Sequence, residues 1–237
     1  MKIAYKQILW SICLIPIFYF FIVMVLKEAP YFTFNKYTHF LATKPDAILD
    51  HWAYLPNFFI HISTSLIVLL IGIFQFIPSF IQKYPIVHRN IGKMYIILIL
   101  FFAAPSGFII GLFANGGLSC KVGFCLQSIA WFLITFFAYI EIRRKNIENH
   151  INWMVRSFAI TLAAMSLRTE SYFMHYFLHT KPIETYLTVT WLSWVGNLMI
   201  AEIIIQFKIP YKILFLQIFK TLKKLNIYYR SLLPSAA

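Results

Sequence analysis

Apolar residues in this chain fall into runs, and six of those runs are long enough to cross about 30 Å of hydrocarbon. They cover approximately residues 8–26, 57–81, 94–113, 123–142, 153–178 and 186–207. The pattern predicts an all-α polytopic helical bundle in a membrane, with about six transmembrane helices. The second and fifth runs exceed what a bilayer needs, so tilt or extension past the membrane is expected there. The first follows Lys2 and Lys6 as a secretory signal would. Its apolar core is long and no small-residue cleavage pattern follows, so it reads as a retained signal anchor.

Composition agrees. The 237 residues are 60% hydrophobic and 12% charged, with 25 Phe and a mean hydropathy of +0.73. A soluble domain is about 25% charged, and this chain cannot cover a globule with polar side chains. The organisation expected is a signal-anchor helix over 1–26, an outer loop over 27–56, a five-helix membrane core over 57–207 and a basic amphipathic cytoplasmic tail over 208–237.

Orientation follows from the cations. With the N-terminus inside, 14 Lys and Arg fall on the inner side and five on the outer side, which are Lys27, Lys36, Lys44, Lys121 and Lys181. That bias predicts both termini in the cytoplasm. The net charge of +13 is therefore topological and calls for no nucleic acid. In the tail, six cations from Lys208 to Arg230 interleave with Ile213, Phe215, Phe219 and Leu222 and no acid. Such a segment suits anionic lipid headgroups on the inner leaflet.

Two arginines in the fifth run, Arg156 and Arg168, need a compensating reason, because one on a membrane helix costs about 2.5–3.5 kcal/mol at its centre. Depth pairs Arg156 with Glu202 across helices, and places Arg168 near Glu170 and His61. Polar and small residues recur at helical spacing. His61, Ser65, Val68, Gly72 and Gln75 share one face, and Ala103, Gly107 and Gly111 form a ladder that admits a close neighbour. The fifth run carries two such faces. One is Arg156, Ala159, Ala163, Ser166 and Glu170; the other is Ser157, Thr161, Ala164, Arg168, Ser171 and His175. So wide a polar arc must be surrounded by protein, which makes this helix the expected centre, with Asn197 mid-depth on the sixth. Cys120 and Cys125 flank an outer loop where a disulfide is one reading, and Cys13 is read as packing in the first span.

His88-Arg89-Asn90-Ile91-Gly92-Lys93-Met94-Tyr95, His150-Ile151-Asn152-Trp153-Met154-Val155-Arg156-Ser157, Leu167-Arg168 and Trp194-Val195-Gly196-Asn197-Leu198-Met199-Ile200-Ala201-Glu202 resemble the signature segments of bacterial membrane proteins grouped as domain of unknown function 2306. Gly72-Ile73-Phe74-Gln75-Phe76 resembles another segment of that family. Lys93 departs from it, since the family more often has Arg there, and His175 lies outside the pattern. The resemblance implies a helical bundle with a shared polar site, in the inner membrane of a bacterial cell.

The polar-site candidates are His61, Gln75, His88, Arg89, His150, Arg156, Arg168, Glu170, Asn197 and Glu202. Three uses of them stay open. One is transmembrane electron transfer with haem b, for which His61 and His175 sort to the outer side and His88 and His150 to the inner. Another is binding or passage of a small anionic or amphipathic molecule, with Arg156 and Arg168 as counter-charges. The remaining one is a non-catalytic accessory subunit in which these groups only tie helices together. No metalloprotease, nucleophile-elbow, P-loop or dinucleotide pattern occurs, so soluble-type hydrolysis and nucleotide chemistry find no support.

Overall fold

A computed structural model describes residues 2–208, with side chains from residue 15 onward except at positions 78 and 79. The expected tail helix beyond Lys208 and the packing of Cys13 lie outside the described residues. The described residues are mainly helical: α1 (Lys2–Glu28), α2 (Asp46–Leu49), α3 (Tyr54–Gln75), α4 (Pro78–Lys83), α5 (Pro85–Leu98), α6 (Ala104–Leu112), α7 (Gly117–Arg143), α8 (Ile147–Thr161), α9 (Ala163–Phe177) and α10 (Pro182–Gln206). Among the described residues, five segments are long and apolar enough to cross a membrane: Ile15–Thr33, Tyr54–Gln75, Pro85–Leu112, Gly117–Arg143 and Pro182–Gln206. Phe101, Leu133, Met199 and Ile203 are exposed on them, as lipid in place of water requires. The protein is an all-α membrane bundle.

The remaining expected span is two helices. α8 and α9 meet at Leu162 and together run beside α10, α8 along its C-terminal half and α9 along its N-terminal half. No Pro or Gly causes the break. Thr161 Oγ1 donates back to the Ser157 carbonyl at 3.0 Å, a bond that bends helices. Asn197 Nδ2 donates to the Ala159 carbonyl at 3.0 Å, the acceptor that an unbroken helix would offer to Ala163. α8 packs on α3, α7 and α10 and so occupies the middle of the bundle.

A different interruption divides the third span. Ile99–Ala103 forms a π turn, closed by the Ala104 N–H bonding the Ile99 carbonyl. Pro105 follows at once; it has no N–H for the Phe101 carbonyl, and its ring crowds the preceding turn. The second span ends at Gln75, and its expected final turns belong instead to α4. Cys120 and Cys125 both lie inside α7, five residues apart on one helix, and are free thiols rather than a bridge.

We call the end carrying the α1–α3 connection the outer end, following the charge bias. That connection is folded. Leu41 and Leu49 are fully buried against Tyr31, Tyr54 and Phe58. Tyr31 Oη accepts the Phe40 N–H, and Lys36 pairs with Asp50 at 2.8 Å.

Candidate functional site

Glycines on α6 set the first part of the site. A Cβ at Gly107 would lie 2.9 Å from His61 Cε1 and 3.0 Å from Ser128 Oγ, so α3 and α7 approach α6 only because that residue is Gly. The ladder expected from Ala103, Gly107 and Gly111 is thus a working contact. His61 Nδ1–H donates to the Ala103 carbonyl at 2.8 Å, at the edge of the π turn. A carbonyl can only accept, so Nε2 of His61 keeps its lone pair.

These helices enclose a cavity of about 230 Å³ in the outer half of the bundle. His61, Ser65, Gly107 and Ser128 line one side, Ala164, Leu167 and Arg168 another, and Ser193 of α10 a third. Phe58, Ile110 and Phe124 make most of the remainder apolar, while Trp131, Ile160 and Thr161 form the deeper wall. The hydroxyls of Ser65 and Ser193 are buried and have no hydrogen-bond partner among the described residues, and a buried hydroxyl is costly until something bonds it.

Lys44, Phe40 and Tyr54 bound the cavity at its outer end. Lys44 belongs to the folded connection, yet it is only 6% exposed. Its Nζ donates to the Phe113 carbonyl at 2.5 Å and to Asn115 Oδ1 at 2.8 Å, and lies over the rings of Phe40 and Tyr54. Asn115 is itself held by Thr43. Lys44 makes no ion pair among the described residues. Burial, with a smaller push from the nearby Lys121 charge, lowers its pKa to about 8.

The two arginines behave differently from Lys44. Arg168 reaches the cavity wall, but Nη1 donates to the Ala164 carbonyl and Nη2 pairs with Glu28 of α1, a carboxylate 6% exposed. The expected neighbour Glu170 is not its partner; one Glu170 carboxyl oxygen is buried without a hydrogen bond among the described residues. Arg156 pairs with Glu202 through two bonds of 2.5 and 2.9 Å and stacks over Trp153. That contact matches the depth argument from sequence. Both arginines are neutralised inside the protein.

Other candidates sit elsewhere. Gln75 Nε2 donates to the His88 carbonyl, and Gly92 leaves room for its side chain. His150 Nδ1–H donates to the Ala138 carbonyl at 2.8 Å. His88 lies close enough to His150 to interact electrostatically, and its buried Nδ1 has no partner among the described residues. Arg89 is exposed at the inner end. Asn197 ties Ser166 of α9 to Ala159 of α8. His175 is exposed on α9 and does not line the cavity that His61 lines. The outer histidine pair expected for haem is therefore not brought together.

Sequence reasoning missed Lys44, Glu28, Ser128 and Ser193. Lys44 carried no signal beyond a loop cation, because its depth depends on how the connection folds over the bundle. Tyr95 closes the His88–Tyr95 segment and is fully buried at the centre, where its Oη meets Ser157 and Thr161. The Gly72 position is filled by the Phe158 and Tyr95 rings.

No curated protein and no solved structure matches this chain. The family described as Predicted membrane protein (DUF2306) matches residues 58–205, a stretch that takes in every wall of the cavity except the outer cap and the Glu28 counter-charge. The chain belongs to the DUF2306 family of predicted membrane proteins.

Proposed function

We propose that this membrane protein binds a small anionic, partly apolar molecule in the outer-half cavity, with Lys44 as its counter-charge. The observation that carries this reading is a buried ammonium without a carboxylate at the mouth of a cavity of about 230 Å³. Arg168 is already matched by Glu28, so the cavity is left with one unbalanced positive charge. Two of the three Lys44 donors are taken by Phe113 and Asn115, leaving one for a ligand. Ser65 and Ser193 add polar groups that await a partner. The aromatic and aliphatic walls suit an apolar body, and the volume is below the 300–1,000 Å³ of drug-sized sites. A short carboxylate fits these terms.

The test is thermal unfolding of the purified protein with hexanoate and benzoate against hexylamine and benzylamine. The carboxylates should stabilise saturably, as selective binding to the folded state demands, and the amines should not. Lys44→Gln should abolish the effect. Equal shifts with acids and amines, or none with either, would sink the reading.

A second reading, haem b at the inner end, draws support from His150, whose Nδ1 is anchored on a carbonyl as in ligand histidines, beside His88. Protein expressed with ample haem should then show a Soret band that His150→Ala removes. A colourless, stable preparation overturns it.

A further inference from the structure

Below the cavity the bundle holds a chain of hydroxyls that ligand binding does not use. Thr161 lines the cavity, and its Oγ1 is 2.9 Å from Tyr95 Oη. Tyr95 Oη is 3.1 Å from Ser157 Oγ, which is 2.7 Å from Thr135 Oγ1. Three helices supply the four groups: α5, α7 and α8. Their exposure runs from 0% to 6%. Thr135 is three residues from Ala138, about 4.5 Å along the helix, and Ala138 accepts the His150 Nδ1–H. The chain thus begins at the cavity and ends about one turn above the inner histidines.

Every link can run in either sense, because each atom is both donor and acceptor. In one sense Thr161 donates to the Ser157 carbonyl, 3.0 Å away, and the protons point outward. In the other, Thr161 donates to Tyr95 and they point inward. No heavy atom moves between the two. Aliphatic side chains would fill the same volume without placing four hydroxyls in a lipid-embedded core, where each must find a partner.

We propose that this hydroxyl chain conducts protons between the outer cavity and the inner end of the bundle. A proton is taken up by a lone pair of Thr161, which gives its own to Tyr95. Tyr95 passes one to Ser157 and Ser157 passes one to Thr135. Thr135 delivers the last to a water or imidazole at the level of His150. One O–H bond forms and one breaks at each station, and a single positive charge crosses. The hop leaves the hydroxyls pointing outward, and they then rotate to restore the inward sense. The Lys44 ammonium at the mouth opposes entry of a cation, as fixed charges do in proton-excluding pores. The inference does not depend on which anion the cavity holds.

The full chain reconstituted in liposomes tests this, with a valinomycin-set potential negative inside and a fluorescent pH probe. Lys44→Gln removes the charge at the mouth and should admit protons at least ten times faster than protein-free vesicles, with the wild type between the two. Adding Tyr95→Phe or Ser157→Ala to Lys44→Gln should return the rate to that of protein-free vesicles. Adding Tyr139→Phe, on the exposed face of α7, should leave it high. The proposal fails if Lys44→Gln vesicles are no faster than protein-free ones. It fails equally if both chain variants conduct like Lys44→Gln, which would make the hydroxyls a structural clamp only.

Discussion

Lys44 sits where a loop cation would ordinarily be solvated, and its pKa of about 8 gives its charge a testable consequence. Below that pH the ammonium is charged and attracts an anion; above it the amine is neutral and does not. A bound anion favours the charged form and moves the crossing upward. Carboxylate stabilisation should therefore be present at pH 7 and fade as pH rises beyond about 8. Melting curves with benzoate across that range check this, and Lys44→Gln should show no stabilisation at any pH. Gly107 makes a second residue-scale case. Gly107→Ala puts a Cβ 2.9 Å from His61 Cε1 and 3.0 Å from Ser128 Oγ, so His61 must leave its carbonyl or α6 must move. Overpacking of this kind costs about 1–3 kcal/mol. The variant should melt several degrees lower and bind benzoate more weakly, read in one titration series.

At the scale of elements, the junction of α8 and α9 depends on a side chain from elsewhere. Asn197 of α10 supplies the donor that takes the Ala159 carbonyl and also accepts from Ser166. Asn197→Leu removes both bonds and should lower the melting temperature. Hydrogen exchange should rise locally around residues 159–166 rather than over the whole of α10. The Arg156–Glu202 pair clamps the other half of α10 to α8. Glu202 is about half exposed, so the coupling in a double-mutant cycle of Arg156→Met and Glu202→Gln should fall toward the low end of about 0.5–3 kcal/mol. A coupling of zero would leave the pair as a crystal-like contact without energetic weight.

For the whole molecule, five of the six expected spans were legible because lipid tolerates only long apolar runs with internally bonded backbone. Arg156 and Glu202 were legible for a related reason: depth within a span limits the partners a charge can reach. The break at Leu162 was not, since its cause sits on α10, far along the chain from the residues it separates. Nor was the pairing of Arg168, for which Glu170 was the near choice and Glu28 the actual one. Lys44 escaped notice because burial of a loop cation is a tertiary outcome. The same limit applies to the outer haem pair, which needs His61 and His175 on one cavity, where the fold places only His61. A whole-molecule prediction follows from α1. Glu28→Gln should destabilise the bundle by stranding Arg168, and Arg168→Gln in that background should recover part of the loss, as measured by unfolding in detergent.

The Glu28–Arg168 contact also orders events during synthesis. Chains emerge N-terminus first, so α1 reaches the bilayer before the helix that carries Arg168 is made. Glu28 has no cationic partner at Arg168 until some 140 residues later, the separation along the chain between the two groups. The late arginine then enters beside a carboxylate already at its depth, and its insertion is easier than that of the same helix alone. On this account α1, outside the matched region, is the docking post against which the growing bundle closes.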